Sequence, residues 1–240
     1  MKKIKLYCLP YAGGSSGIYA GWNKRLNDSI EIHPIEFAGR GKRYSSSLYK
    51  SFGQAVDDIY KLIEKDIASS SAYSIFGHSF GGLIAYELTH KIIQEGKPQP
   101  EHIFFSGVKA PNAERSKDII HELPDDMFMQ KIIALGGTPR EVIENKELQD
   151  IVLPILKADF TVDETYEYIE KEGKIGCDIT VLYGKYENIK NDEIVEWRNH
   201  TTGKCDIHTF EGNHFFINTH TDDVIGIINK VLSKELISGK

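Results

Sequence analysis

A serine set among glycines, Gly77-His78-Ser79-Phe80-Gly81, lies between an apolar run ending at Phe76 and a helix-period run beginning at Leu83. A hydroxyl raised on a sharp strand-to-helix turn stands clear of its neighbours, and a serine so placed can attack a carbonyl carbon once a base removes its proton. The glycines make such a turn possible, because the backbone must adopt dihedrals that a Cβ resists and the incoming helix must pass close to the strand. A strand before the serine and a helix after it are the context this pattern requires.

The base for such a serine is usually a neutral histidine oriented by a carboxylate, in the chain order serine, acid, histidine. Nine histidines compete. The His78 side chain is expected to point away from the Ser79 hydroxyl, and His33, His102 and His208 fall inside predicted strands. His214, in Gly212-Asn213-His214-Phe215-Phe216, follows the last predicted strand and is the expected base, with His220 as the fallback. The acid is sought in the loop opening at Gly184, where Glu187, Asp192 and Glu193 are available. Glu187 is preferred because it sits directly beyond a strand, whereas Asp192 and Glu193 look like a first helical turn, where carboxylates simply favour the positive dipole end. An oxyanion formed at this site needs backbone N–H donors, one from Phe80 after the serine and one from Pro10-Tyr11-Ala12-Gly13-Gly14, with Ala12 ahead of Tyr11. The same glycines form neither a P-loop nor a G-x-G-x-x-G pattern.

These loops need elements to hold them. Apolar runs at 4–9, 31–36, 73–76, 102–106, 179–183 and 206–210 read as strands, and helix-period segments at 55–67, 83–93, 192–200 and 222–236 separate several of them. Alternation of this kind implies an α/β fold, a mostly parallel sheet flanked by helices. The stretch 111–172 breaks the rhythm with helix candidates at 122–135, 139–144, 148–157 and 162–171 and no strand. A crossover between parallel strands needs only about a dozen residues, so this stretch is expected to be a helical lid insertion that helps build a substrate pocket.

The chain has 240 residues and 27.1 kDa, room for one sizeable domain spanning 1–240 with the insertion inside it. No apolar stretch approaches the roughly 20 residues that span a bilayer, and Met1-Lys2-Lys3-Ile4-Lys5 does not lead into the apolar core of a secretory signal. No membrane association and a cytoplasmic location are therefore expected. Cys8, Cys177 and Cys205, odd in number and far apart, suit reduced thiols better than disulfides or a zinc site, and no metal or organic cofactor is expected. A net charge of −6 without a dense basic stripe argues against nucleic acid. Nothing suggests an assembly motif, so a monomer is expected.

With these residues placed, the chain resembles the type II thioesterases, stand-alone α/β-hydrolases associated with nonribosomal peptide and polyketide synthases. The resemblance runs over nearly the whole length. It rests on Leu9-Pro10-Tyr11-Ala12-Gly13-Gly14, Ala38-Gly39-Arg40-Gly41-Lys42-Arg43, Gly77-His78-Ser79-Phe80-Gly81-Gly82, Leu135-Gly136-Gly137-Thr138-Pro139, Pro154, Lys157-Ala158-Asp159-Phe160, Glu164-Thr165-Tyr166, Trp197 and the segment around His214. It implies hydrolysis of aberrant or stalled acyl groups from the 4′-phosphopantetheine arm of acyl or peptidyl carrier proteins, with Ser79, His214 and Glu187 as catalytic residues and Ala12 and Phe80 as oxyanion donors. Arg40 and Arg43 are expected at the cleft mouth, either contacting the pantetheine phosphate or the carrier or closing a loop salt bridge. Two departures stand out: the family usually has aspartate where Glu187 stands and arginine where Lys157 stands. A medium-chain fatty acyl thioesterase and a catalytically silent carrier-binding protein are the competing expectations.

Overall fold

The computed structural model describes residues 3–69, 72–115 and 118–238. Residues 116 and 117 of the expected insertion and Met1 and Lys2 of the basic N-terminus lie outside the described residues. The six apolar runs form six strands, β1 (Ile4–Leu9), β2 (Ile30–Pro34), β3 (Tyr73–His78), β4 (His102–Ser106), β5 (Asp178–Gly184) and β6 (Cys205–Phe210). All five pairings are parallel, in the order β2-β1-β3-β4-β5-β6. Every residue of β3 and β4 is buried, as a sheet covered on both faces demands.

The side-chain alternation of the strands sorts the core into two halves. Tyr7, Leu9, Ile75, Ile103, Phe105 and Val181 face one side, where they meet α1 (Phe52–Ser69) and α2 (Phe80–Gln94). Leu6, Cys8, Phe76, Phe104 and Leu182 face the other, against Tyr19, Trp22 and the final helices. Chain order is completed by α3 (Asp125–Leu135), α4 (Arg140–Glu144) and α5 (Lys146–Glu164) between β4 and β5, α6 (Asn191–Val195) and a 3-10 turn (Glu196–His200) between β5 and β6, then α7 (Phe216–Thr219) and α8 (Thr221–Ser238).

The helices between β4 and β5 differ from expectation in one respect. The candidates at 148–157 and 162–171 are replaced by one continuous α5 that passes through Pro154, and residues 167–171 are not helical. An internal proline costs about 3 kcal/mol, but burying Ile155, Leu156 and Val162 on the inner face at roughly 1.5–3 kcal/mol each outweighs it. Beyond Thr165 the chain is drawn across α2 instead, because Tyr166 Oη and Lys171 Nζ both donate to the Glu87 carboxylate at 2.7 Å.

Candidate active site

The chain leaves β1 toward β2 on one side of the sheet, whereas β3 lies on the other, so the carboxyl ends of β1 and β3 border a switch point where a crevice opens. Both candidate segments begin there, the Tyr11–Gly14 loop after β1 and Ser79 after β3. Leu9 and Gly77 are register partners across the two strands.

Ser79 has φ 54° and ψ −121°, the positive-φ conformation that a side chain resists, and among the described residues it is the non-glycine that adopts one. Strain of this kind costs on the order of 1–3 kcal/mol and persists only where the surroundings enforce it. Here the Ser79 N–H donates to the Ser106 carbonyl at 2.7 Å, and the two glycines remove the obstacles. A Cβ on Gly77 would stand 2.2 Å from the Gly81 carbonyl oxygen, and one on Gly81 would stand 2.3 Å from the Leu9 carbonyl oxygen. The turn closes and α2 seats itself against the end of β1 for want of those two Cβ atoms.

His214 Nε2 lies 2.9 Å from Ser79 Oγ, and His214 Nδ1 lies 2.8 Å from Glu187 Oε2. A carboxylate accepting from Nδ1–H fixes the tautomer that leaves Nε2 free to take the serine proton. The Glu187 side chain is only 2% exposed, while that of His214 is 34% exposed, so the relay is anchored inside and open toward solvent at the reacting end. Glu187 is held in turn by the end of β5, its Oε1 accepting the Gly184 N–H at 2.6 Å. The other candidates are engaged elsewhere: His220 pairs with Asp223, Glu193 with Lys109, and Asp192 with the Glu193 N–H.

The Phe80 N–H opens the fifteen-residue α2, where first-turn donors lack partners in the helix and the dipole is positive. Across the crevice, Gly14 N donates to the Tyr11 carbonyl at 2.9 Å and Gly13 N to Asp159 Oδ2 at 2.7 Å. Neither the Tyr11 nor the Ala12 N–H makes such a bond among the described residues. An oxyanion formed on a carbonyl needs preorganised donors of this kind.

Arg40 and Arg43 both make ion pairs within the protein. Arg40 is 4% exposed and makes a two-pronged ion pair with Asp159, Nη1 to Oδ2 at 2.6 Å and Nη2 to Oδ1 at 2.7 Å. Arg43 makes a similar pair with Asp58 of α1 at 2.7 and 2.8 Å. Both guanidinium groups are thus spent on carboxylates of the protein itself, the loop salt bridge of the two expectations, and Arg40 is out of reach of a phosphate in solvent. Lys157 pairs with Asp125 and donates to the Leu123 carbonyl at 3.1 Å, tying α5 to the start of α3. The role of Asp159 is not evident from the sequence pattern alone, although a carboxylate one turn beyond Leu156 on the inner face of a helix is a signal that a buried cation must meet it.

An apolar cavity of about 190 Å³ adjoins these groups, bounded by Ala12 and Phe215 on the site side and by Ile132, Val142, Leu156 and Phe160 of α3–α5 on the other. An apolar cavity of about 150 Å³ accommodates benzene, which sets the scale for what this one holds.

Residues 4–232 match the family model of the thioesterase domain. Among curated proteins the chain is 32% identical over 239 residues to linear gramicidin dehydrogenase LgrE of Brevibacillus parabrevis, covering 98% of this chain and 90% of that one. It is 34% identical over 218 residues to the medium-chain S-acyl fatty acid synthase thioesterase of Rattus norvegicus, covering 89% and 81%. Among solved structures, ClbQ from the colibactin NRPS/PKS pathway matches with a TM-score of 0.94 and 39% identity over 99% of this chain and 100% of that one. The chain belongs to the thioesterase domain family and is a thioester hydrolase of the α/β-hydrolase fold.

Proposed function

We propose that this chain is a type II thioesterase that removes aberrant or stalled acyl groups from the 4′-phosphopantetheine arms of carrier proteins in nonribosomal peptide or polyketide synthesis. The observation that carries the reading is the unbroken relay from Glu187 through His214 to Ser79, in a chain so similar to a protein of an NRPS/PKS pathway.

Ser79 Oγ attacks the thioester carbonyl carbon as His214 Nε2 takes its proton, and the resulting oxyanion accepts from the Phe80 and Ala12 N–H groups. Collapse breaks the carbon–sulfur bond, and His214 delivers the proton to the departing pantetheine sulfur, leaving an acyl-serine. Water then attacks that ester while His214 takes its proton and returns one to Ser79 Oγ, releasing the carboxylic acid. A thiol, with a reference pKa near 8.5, leaves far more readily than an amine, so the step makes a small demand on acid catalysis. Helices α3–α5 act as the lid over this site in our reading, and the acyl group enters the cavity beneath them. The mechanism calls for no cofactor beyond the arm the substrate carries, the partner is a carrier protein, and the enzyme works as a monomer in the cytoplasm. None of the described helices is long and apolar enough to cross a membrane.

The rat relative favours a second reading, release of medium-chain fatty acids. The greater likeness to ClbQ of an NRPS/PKS pathway, 39% identical over 99% of this chain, favours editing. The dehydrogenase name of one relative describes that protein; the loop after β1 here lacks the glycine pattern that cradles a dinucleotide.

Intact-mass spectrometry of carrier proteins loaded with acetyl, aminoacyl, octanoyl and decanoyl groups tests the reading. Loss of the short groups on incubation with the wild-type protein, abolished in Ser79→Ala and His214→Ala, is the expected result. Preference for decanoyl would move the assignment to fatty acid release, and no hydrolysis by folded protein would end the enzymatic reading.

A further inference from the structure

The loop that presents the Ala12 N–H is fixed by a buried ion pair reaching it from α5. The Arg40 and Asp159 side chains are 4% and 1% exposed. Each touches the loop as well as its partner: Asp159 Oδ2 accepts the Gly13 N–H at 2.7 Å, and Arg40 Nη1 donates to the Gly14 carbonyl at 3.0 Å. Gly14 in turn donates to the Tyr11 carbonyl. Tyr11 C=O and Ala12 N–H belong to one planar trans peptide and point in opposite directions. Anchoring the carbonyl on Gly14 therefore aims the Ala12 N–H away from the loop, and Arg40 and Asp159 hold the two residues that do the anchoring.

Gly13 shows how closely this is fitted. Its φ is +75°, and a Cβ there would stand 2.2 Å from Leu156 Cδ2, one turn before Asp159 on the same face of α5. The helix thus meets the loop through an apolar contact and a charged one.

We propose that Arg40 and Asp159 are positioning residues for the second oxyanion donor, coupling the placement of α5 to the geometry of Ala12. A buried ion pair contributes little net stability, since apolar groups of similar volume often replace one without loss. What apolar groups do not supply is an acceptor for Gly13 N–H and a donor for Gly14 C=O. The proposal rests on the reading of Ser79 and Ala12 given above.

The test separates fold from positioning with the double variant Arg40→Met/Asp159→Leu and the single variant Arg40→Lys, which keeps the charge and loses the two-pronged contact. The substrate is p-nitrophenyl butyrate, which demands the serine site and no carrier, so a failure of the carrier-editing reading leaves the measurement intact. For the double variant we expect a folded protein with a melting temperature lowered by several degrees, since Gly13 N–H and Gly14 C=O lose their partners, KM within about threefold and kcat lower by roughly 10- to 100-fold, the signature of a donor that acts in the transition state. Arg40→Lys should fall between the two. A folded double variant with wild-type kcat overturns the proposal. Should the double variant not fold, Arg40→Lys decides: reduced kcat at unchanged KM and melting temperature supports positioning, and unchanged kcat overturns it.

Discussion

Glu187 grips Gly184 as well as His214, its Oε1 accepting the Gly184 N–H at 2.6 Å while its Oε2 meets His214 Nδ1 at 2.8 Å. The extra methylene relative to aspartate is absorbed by a tight return of the loop, in which the Glu187 N–H also donates to the Gly184 carbonyl at 3.1 Å. The carboxylate is therefore oriented by the end of β5 rather than by its own rotamer. Glu187→Asp cannot span both partners, and a shift of about 1 Å at such a site costs roughly 100-fold, so kcat is expected to fall by about that factor with KM little changed. Glu187→Ala should lose on the order of 10⁴-fold, as loss of the orienting acid does in serine triads. Steady-state kinetics on an acyl thioester measures both, and an alanine variant within tenfold of wild type would remove Glu187 from the relay.

His78, next to the nucleophile in sequence, belongs to the scaffold. It is fully buried, its Nδ1 shares a hydrogen bond with Ser106 Oγ at 2.8 Å, and its ring lies 5.2 Å from that of His214. Burial, reinforced by the nearby His214, holds its pKa well below the ordinary histidine value, so it stays neutral where the enzyme works. The acid limb of the kcat/KM profile should accordingly carry no contribution from His78. His78→Phe is expected to lose about 1–3 kcal/mol of stability through the Ser106 hydroxyl it orphans, with the acid limb in place. A limb displaced by about one pH unit would show that His78 takes part in setting it.

Much of this was legible in the sequence because local rules and tertiary demands agree there. The strands, the elbow glycines and His214 beyond the last strand are each set by short-range pattern, and β1 and β4 run over the residues that periodicity assigns. Glu187 could be placed in the right loop because the loop begins at a strand end. For Arg40 the sequence leaves two expectations open: its partner Asp159 lies on α5, 119 residues away in sequence, and no local signal distinguishes an arginine that meets a buried carboxylate from one that meets solvent. The length of α5 is hidden for the same reason, since its continuity through Pro154 is decided by what its inner face buries.

His90 makes the fold sensitive to mild acid. It is 5% exposed, its Nε2 has no partner among the described residues, and its ring packs against Tyr86 at 4.6 Å. Burial, with smaller contributions from Lys171 and His200, pushes its pKa down to about 4. The unfolded chain, with histidine near 6.5, binds the proton more readily, so the stabilising effect of the neutral ring is complete above that value and is lost as pH falls toward 4. Between pH 7 and pH 5 the loss from this residue should be about 2 kcal/mol. Urea unfolding of wild type and His90→Phe at the two pH values measures it: the phenylalanine variant should lose correspondingly less on acidification. Equal losses in both would mean that His90 is not the group that charges.

The cavity beside Ala12 and Phe215 should set acyl preference through Leu156. Its about 190 Å³ is bounded on the α5 side by Val152, Leu156 and Phe160, and Leu156 itself is packed with Phe128, Met129 and Ile132 of α3. Leu156→Ala opens space along the path an acyl chain would follow, at a stability cost of about 2–5 kcal/mol that depends on how far α3 and α5 collapse. Each methylene that finds apolar contact in the new space is worth about 0.8 kcal/mol, close to fourfold in kcat/KM. The ratio of octanoyl to acetyl hydrolysis, measured on carrier proteins by intact mass, is therefore expected to rise by about 10- to 100-fold in this variant relative to wild type. An unchanged ratio in folded Leu156→Ala protein would place the acyl chain elsewhere and leave the cavity without a role in substrate choice.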